Sequence, residues 1–241
     1  MNRRDPWRRF FAPASTFFAL LTLASISCVI SLDQPTRPPP TATPPLDQVV
    51  SYTMPIYTAS LEPGESIPGT QMTYINRENA IFNVTINDLP AVKRAGDSFT
   101  WKGIIAPGLI AKYSLRVSPT LLGNNMLSAG PVELWVLNPI PVETDVDPLV
   151  GNAFIHFSNI ALDMRVPIGG QVPGTSFIYE GFDDQGANLT GSSSYPYLAV
   201  GDSLAWAGRL RGNVLVRYSL RVASFDVDNL RLIGTAELWI V

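Results

Sequence analysis

The feature that most constrains this chain is an internal repeat. The stretch from Gly96 to Val117 returns in nearly the same form from Gly201 to Val222, 105 residues later. The closing Glu-Leu-Trp motif at Trp135 returns at Trp239, 104 residues later, so one residue has been lost between the two motifs. A fixed period of this kind marks a tandem repeat of one structural unit. Each unit has about 90 residues, a normal size for a small domain.

The repeat and the composition around it divide the chain into five segments. They are a signal peptide or membrane anchor (residues 1–28), a proline-rich tether (29–48), the first repeat (49–138), a linker (139–151) and the second repeat (152–241). The tether is expected to be an extended, solvated spacer. Because each repeat has its own tryptophans and its own closing strand, we expect each to fold alone.

Apolar and polar residues alternate within each repeat. In the first repeat Phe99 and Trp101 alternate with Thr100 and Lys102, and the second repeat follows the same pattern around Trp206. A period of two predicts half-buried strands of antiparallel sheets. Strands of the first repeat are predicted at residues 50–57, 71–75, 81–86, 98–105, 109–118 and 132–137. The predicted fold is therefore all-β, with two tandem antiparallel β-sandwiches.

Four motifs of the first repeat occur in a characteristic order. A Pro-Gly turn at Ile67–Thr70 is followed by Asp88-Leu89-Pro90, by Trp101-Lys102-Gly103 and by the Ala106–Gly108 turn. In this order they resemble the Ig-like repeat of bacterial surface proteins that was long catalogued as a domain of unknown function. The second repeat keeps the Pro-Gly turn and the Trp-x-Gly motif but lacks Asp-Leu-Pro. The resemblance implies two tandem Ig-like, extracellular sandwiches without known catalytic residues.

The N-terminal residues have the pattern of an export signal. Four arginines and one aspartate within residues 2–9 precede an apolar run, Thr16–Ser27. A basic start followed by a short apolar core is typical of a signal peptide. The run ends at Cys28, and Ser25-Ile26-Ser27-Cys28 resembles a bacterial lipobox, although leucine is usual in place of Ser25. This resemblance implies that Cys28 carries a lipid.

Two other interpretations of this segment stay open. The apolar run can be extended to residues 14–32, which is close to the length of about 20 residues needed to span a bilayer. A signal that is simply cleaved is the second alternative. The lipid and the spanning anchor predict the same topology, with the arginines in the cytoplasm and the repeats outside it. The expected location is the cell envelope, tethered to a membrane.

Composition argues against several function classes. Without the basic residues 1–27 the chain is acidic, so it has no basic patch for nucleic acid. One cysteine and one histidine, His156, cannot supply a zinc site, and no cofactor is expected. Nucleophilic catalysis needs a base beside the nucleophile. The single histidine, His156, lies in a strand-like run and is interpreted as a surface or edge residue. We therefore do not expect an enzyme.

Both repeats keep an arginine, a glutamate and a tryptophan at corresponding positions. Alternate residues of a strand share a face, so the Glu and Trp of each Glu-Leu-Trp motif point together. If the neighbouring strand carries the arginine to the same place, the three side chains form a structural clamp on the outer sheet face. The predicted clamps are Arg116, Glu133 and Trp135 in the first repeat and Arg221, Glu237 and Trp239 in the second.

A ligand site is an alternative use of the second repeat. Its loops contain Asp183, Asp184 and three aromatic residues that occur only in this repeat, Phe182, Tyr195 and Tyr197. Exposed aromatic residues in loops suit glycans, although packing in the core is the commoner role of tyrosine. Acidic residues of the linker could bind calcium, but they lack a complete ligand spacing.

Two function classes follow from these observations. The first is a non-catalytic structural, adhesive or scaffold protein of the bacterial envelope. The second is a ligand- or glycan-binding lipoprotein or accessory subunit that uses loops of the second repeat. The expected partners are the membrane, other envelope proteins and glycans.

Overall fold

The computed structural model describes residues 49–119, 123–191 and 195–241, all of which belong to one compact unit, Thr43–Val241. The predicted signal, the predicted lipidation site Cys28 and the whole tether lie outside the described residues. Within the described part of the chain, no helix has the length and apolar character that crossing a bilayer requires.

The described residues are almost entirely β-strands. Those of the first repeat are β1 (Val49–Leu61), β2 (Met72–Glu78), β3 (Ile81–Ile86), β4 (Leu89–Arg94), β5 (Ser98–Ala106), β6 (Leu109–Val117) and β7 (Met126–Leu137). The linker contains β8 (Val142–Glu143) and a single helical turn, α1 (Asp147–Val150). The second repeat contains β9 (Ile155–Pro167), β10 (Ile178–Asp183), β11 (Gly186–Thr190), β12 (Tyr197–Leu198), β13 (Ser203–Arg211), β14 (Val214–Phe225) and β15 (Asn229–Ile240). The all-β class predicted from alternation is confirmed.

All six strands predicted in the first repeat are present, and β4 is the strand that the sequence did not predict. The residues of β4 are exposed or half-buried along its whole length, so the strand buries no apolar face. Alternation can reveal only a strand that has one buried face, which is why β4 has no signal in the sequence. The linker also forms β8 and α1, where no regular structure was expected.

The two repeats have the same sheet topology. In the first, an antiparallel four-stranded sheet has the order β1-β7-β6-β5, and a three-stranded sheet has the order β2-β3-β4. In the second repeat the large sheet has the corresponding order β9-β15-β14-β13, and the small one is β10-β11-β12. The linker strand β8 extends the second large sheet by pairing with β13. Each repeat is thus β-sandwich-like, and the sequence period is also a structural one.

The Trp-x-Gly motif has a steric explanation in both repeats. A Cβ atom on Gly103 would lie 2.5 Å from Cζ2 of Trp101, and one on Gly208 would overlap the ring of Trp206. Residues two apart on a strand share a face, so each indole ring lies over the glycine that follows it. Trp206 is buried, whereas Trp101 is half-buried against the core. Glycine is therefore needed here to make room for the ring.

One hydrophobic cluster extends through both repeats. Its buried residues come from the large and small sheets on both sides of the linker. The edge strands β1 and β9 contact each other, and the ring of Tyr57 on β1 lies 6.0 Å from that of Phe157 on β9. Tyr52 on β1 hydrogen-bonds to Tyr218 on β14. Independent folding of the repeats remains a prediction. A repeat that folds alone would have to expose the part of this core that the other repeat covers.

Arg211 provides a polar connection between the repeats. Its guanidinium donates hydrogen bonds to the carbonyl oxygens of Leu137 and Asn138 at the end of the first repeat. The side chain also lies against Gly108, where a Cβ atom would overlap it. Gly108 has a positive φ of 75°, which glycine adopts without strain. The Ala-Pro-Gly turn of the first repeat is therefore a contact surface for the second.

Candidate functional site

The outer face of the first large sheet carries a row of charged and aromatic side chains. Lys102, Lys112 and Glu133 lie opposite one another on β5, β6 and β7. The Nζ atom of Lys112 donates to Oε1 of Glu133 at 2.6 Å, and Nζ of Lys102 lies 5.2 Å from the ring centroid of Trp135. The row thus joins an ion pair to a cation–π contact, as a structural clamp requires.

The arginine predicted for this clamp is not part of it. Arg116 lies opposite Ser98 on β5 and Ala129 on β7, four residues along the strand from the level of Glu133. In an antiparallel pair, each step along one strand moves the opposite residue one step back along the other. The face was therefore predicted correctly and the register was wrong, because Lys112 occupies the position assigned to Arg116.

The second repeat has the same register, with an arginine in the place of Lys112. Arg217 lies opposite Glu237, and its guanidinium carbon lies 5.4 Å from the ring centroid of Trp239. Arg217 also forms an ion pair with Asp147 of the linker helix. Arg221, the arginine predicted here, lies opposite Ser203 and Ile233 instead. In both predicted clamps the cationic residue therefore lies four positions earlier along the strand than the predicted arginine.

The linker covers the clamp of the second repeat. Trp239 is buried in a small cluster with Val146 and Leu215, whereas Trp135 of the first repeat is only half-buried. On its other side Trp239 stacks against His156, with ring centroids 5.0 Å apart and planes inclined by 7°. The Nε2 atom of His156 lies 3.9 Å from Oε2 of Glu237. His156 is thus a half-exposed partner of the clamp, in agreement with its interpretation as a surface residue.

A shallow groove crosses the second large sheet beside this clamp. Two adjoining cavities of about 430 and 470 Å³ lie over β13 and β14 and share Ala205 and Ser219 as lining residues. The counterpart of Ala205 in the first repeat is Thr100, which is larger. Glu143 and Asp145 of the linker line one end of the groove. The sequence did not predict this groove, because the linker strand that lines it had no signal.

The structure brings together part of the predicted ligand loop. The rings of Tyr195 and Tyr197 lie 5.7 Å apart, and the Tyr195 hydroxyl is 3.1 Å from Oε1 of Gln185. Tyr195 is 67% exposed, so its ring is available to a ligand. An exposed tyrosine ring next to the half-buried ring of Tyr197 and beside an amide provides apolar and hydrogen-bonding surface together. Residues 192–194, between this pair and β11, are not described.

The other residues of the predicted loop have local partners. The ring of Phe182 packs against Phe225 with centroids 5.5 Å apart, and Oδ1 of Asp183 accepts a hydrogen bond from the backbone N–H of Gln185. Asp184 is exposed in the same turn. Among residues 49–119, 123–191 and 195–241, no three His, Cys, Asp or Glu side chains are grouped so that they could bind a metal ion.

A narrow cleft separates the start of the first repeat from the Pro-Gly turn of the second. Its volume is about 230 Å³, and its lining includes Val50, Pro141 and Gly174. Beneath Gly174 lie the hydroxyl groups of Tyr52 and Tyr218, which are 2.5 Å apart. Burial raises the pKa of both hydroxyl groups, because a buried tyrosinate would lose its hydration. The tyrosine pair is thus neutral and structural.

The chain was compared with models of known protein families, with curated proteins and with solved structures, and none of the three comparisons found a match.

Proposed function

We propose that this chain is an exported, membrane-tethered protein of the bacterial envelope with a non-catalytic structural, adhesive or scaffold role. In this proposal the two repeats are tandem Ig-like sandwiches that stand off the membrane on the proline-rich tether. The observation that carries the proposal is the continuous core of Thr43–Val241, which joins the two repeats through Tyr52 and Tyr218. A shared core resists bending between repeats, so the pair suits a rigid body that presents surfaces to partners.

The order of segments along the chain supports the same role. Basic residues, an apolar run, Cys28 and a stretch rich in proline precede the compact unit in that order. A proline-rich spacer reaches about 3 Å per residue, so residues 35–45 extend about 30 Å. The unit would therefore be held clear of the lipid headgroups, with both large sheets accessible from outside.

Metabolic labelling with a palmitate analogue tests the anchor. Wild-type protein should be labelled and should fractionate with membranes, whereas Cys28→Ser should lose the label. Ser25→Ala is the matched control, because it alters the same motif and keeps the cysteine. Equal labelling of wild type and Cys28→Ser would overturn the lipid anchor, and recovery of the wild type in the cytosol would overturn the envelope location.

A second candidate function is ligand binding by the second repeat, favoured by the exposed ring of Tyr195, which contacts the ring of Tyr197. A glycan array probed with the wild type should then show binding that Tyr195→Ala removes. Phe154→Ala is the control, since Phe154 is an exposed aromatic residue outside these loops. Equal glycan binding by all three proteins, or by none of them, would contradict this function.

A further inference from the structure

The outer edges of the two large sheets differ although the sheets have the same strand order. In the second repeat, β13 pairs with β8 of the linker, with Gly208 opposite Glu143 and Arg209 opposite Val142. In the first repeat, β5 is the last strand of the sheet order among the described residues. The two edges are counterparts at the constant offset of 105 residues, including a register shift that follows Ile104 in β5 and Arg209 in β13.

The linker shows how the β13 edge accepts a strand. The backbone N–H of Ile140 donates to the Leu210 carbonyl at 2.8 Å, and that of Thr144 donates to the Ala207 carbonyl at 3.1 Å. The corresponding carbonyls of β5 belong to Ile105 and Lys102. A strand added to β5 would therefore find acceptors at the same spacing.

The backbone of β5 presents its hydrogen-bonding groups to this edge. The N–H of Val117 donates to the Asp97 carbonyl at 2.9 Å, so residue 97 faces β6. Because such pairs alternate along an antiparallel ladder, Thr100, Lys102 and Ile104 face away from β6. The carbonyl of Ser98 agrees with this assignment, since it accepts a hydrogen bond from Nζ of Lys93 on β4 rather than from β6. Exposed edges of this kind can pair with another extended chain.

The side chains at the β5 edge indicate the chemistry of its occupant. Lys102 stands where the second repeat has Ala207, and Lys93 lies beside the start of the strand. The linker segment on the counterpart edge carries Glu143 and is followed by Asp145 and Asp147. Ile104 is 72% exposed at the same edge, so apolar contact is available as well. A cationic edge with an exposed isoleucine suits an extended segment that mixes acidic and apolar residues.

The chain's own tether does not match this requirement. The constant offset of 105 residues places Pro35 and Pro39 where the second repeat has Ile140 and Thr144. Proline has no backbone N–H, so neither residue could donate the hydrogen bonds that Ile140 and Thr144 supply on β13. Two copies of β5 placed side by side would bring their lysines towards one another, which disfavours a homodimer at this edge.

We infer that the outer edge of β5 is a docking site for an extended, acidic and apolar segment of a partner protein, which adds to the large sheet as β8 does in the second repeat. Strand addition obtains its affinity from main-chain hydrogen bonds and its specificity from alternate side chains. The inference rests on the proposed scaffold role for its biological meaning, because it names the kind of partner that a scaffold would bind.

The probe for the test is a fluorescent peptide with the sequence of residues 139–147, which is the segment that covers the counterpart edge. Saturable binding to the full chain in detergent is expected below about 1 mM. Ile104→Pro removes one edge N–H and should weaken binding by about tenfold. Ile104→Ala keeps that N–H and should bind within about threefold of the wild type. Thermal unfolding of each variant verifies that it is folded.

Charge reversal gives a readout that a change in folding alone would not produce. On β5 the peptide position of Thr144 would lie beside Lys102, so a Thr144→Glu peptide should bind about two- to fivefold more tightly than the parent peptide. Lys102→Glu should reverse that preference. These measurements do not depend on export or lipidation, so their failure would be distinct from a failure of the proposed envelope location.

Several results would overturn the inference. They are no saturable binding of either peptide, equal binding by Ile104→Pro and the wild type, and a preference that Lys102→Glu leaves unchanged. A dimer in light scattering that Ile104→Pro dissociates would assign the edge to a second copy. Binding by the unit Thr43–Val241 but not by the full chain would assign it to the tether.

Discussion

The hydroxyl of Tyr52 on the first strand of the first repeat lies 2.5 Å from the hydroxyl of Tyr218 in the second repeat. Both side chains are buried, and their rings stack with centroids 6.4 Å apart. The counterpart of Tyr52 in the second repeat is Phe157, which has no hydroxyl. The counterpart of Tyr218 is Tyr113, which donates to the Pro68 carbonyl at 2.9 Å instead. This asymmetry gives the junction between the repeats a buried polar contact, in addition to the hydrogen bonds donated by Arg211.

We expect Tyr52→Phe and Tyr218→Phe each to lower the free energy of unfolding by about 1–3 kcal/mol, because each leaves one buried hydroxyl without its partner. The double variant should lose less than the sum of the two, since it leaves no orphaned hydroxyl. Urea unfolding of the four proteins gives the coupling energy. Tyr113→Phe is the control outside the pair, and strictly additive losses would contradict the importance of the hydrogen bond.

Gly174 is expected to be intolerant of a side chain. Its φ is 75°, and a Cβ atom would overlap the Tyr218 hydroxyl. A left-handed alanine costs about 1–2 kcal/mol, and overpacking adds about 1–3 kcal/mol. Gly201→Ala is a matched control, because Gly201 also has a positive φ but nothing lies within 4 Å of the added Cβ. Equal losses of unfolding free energy in the two variants would show that the tyrosine pair does not restrict this position.

Stability should fall at alkaline pH. Burial raises the pKa of Tyr52, Tyr113 and Tyr218 in the folded chain, whereas unfolded tyrosine titrates near pH 10. The folded state therefore holds more protons above about pH 10, so the free energy of unfolding decreases as pH rises further and is unaffected by these groups below it. Urea unfolding between about pH 8 and 11 checks this, and a smaller pH dependence is expected for the Tyr52→Phe/Tyr218→Phe double variant. A flat profile for the wild type would contradict it.

The corrected register of the clamp predicts different effects for Arg217 on β14 and Arg116 on β6, which are corresponding strands of the two large sheets. Arg217→Ala removes the ion pair with Asp147 and the contact with Trp239, so a loss of about 1–2 kcal/mol is expected. Arg116→Ala should change the free energy of unfolding by no more than about 0.5 kcal/mol. Urea unfolding measures both. A larger loss of unfolding free energy for Arg116→Ala than for Arg217→Ala would show that Arg116 stabilises the sheet as predicted from the sequence.

The continuous core predicts that the two repeats unfold together. We expect coincident transitions by circular dichroism and tryptophan fluorescence for the intact unit, because separating the repeats would expose Tyr52 and Phe157. Fragments 46–140 and 150–241 should each be less stable than the intact unit for the same reason. Two separate transitions, or fragments as stable as the whole, would instead support the independent folding expected from sequence.

Much of the outer face of each large sheet could be predicted from the sequence. Glu133 and Trp135 do share a face with a cationic partner, because residues two apart on a strand always do. The partner itself could not be identified, since either Lys112 or Arg116 has the correct parity and only the register selects between them. The groove over β13 depends on where the linker lies, and so does the difference between the edges of β5 and β13 among the described residues. No local sequence pattern shows where the linker lies.

The repeat, the all-β class and most strands can be predicted from the residues alone, because alternation is a local consequence of the pleat and is the same in any register. Contacts between distant residues depend instead on how the sheets pack. Tyr52 alternates like any other buried strand residue, yet its partner lies 166 residues away in the other repeat. That pairing depends on how two complete sheets pack, and the free energy of packing is a property of surfaces that exist only after the strands have assembled.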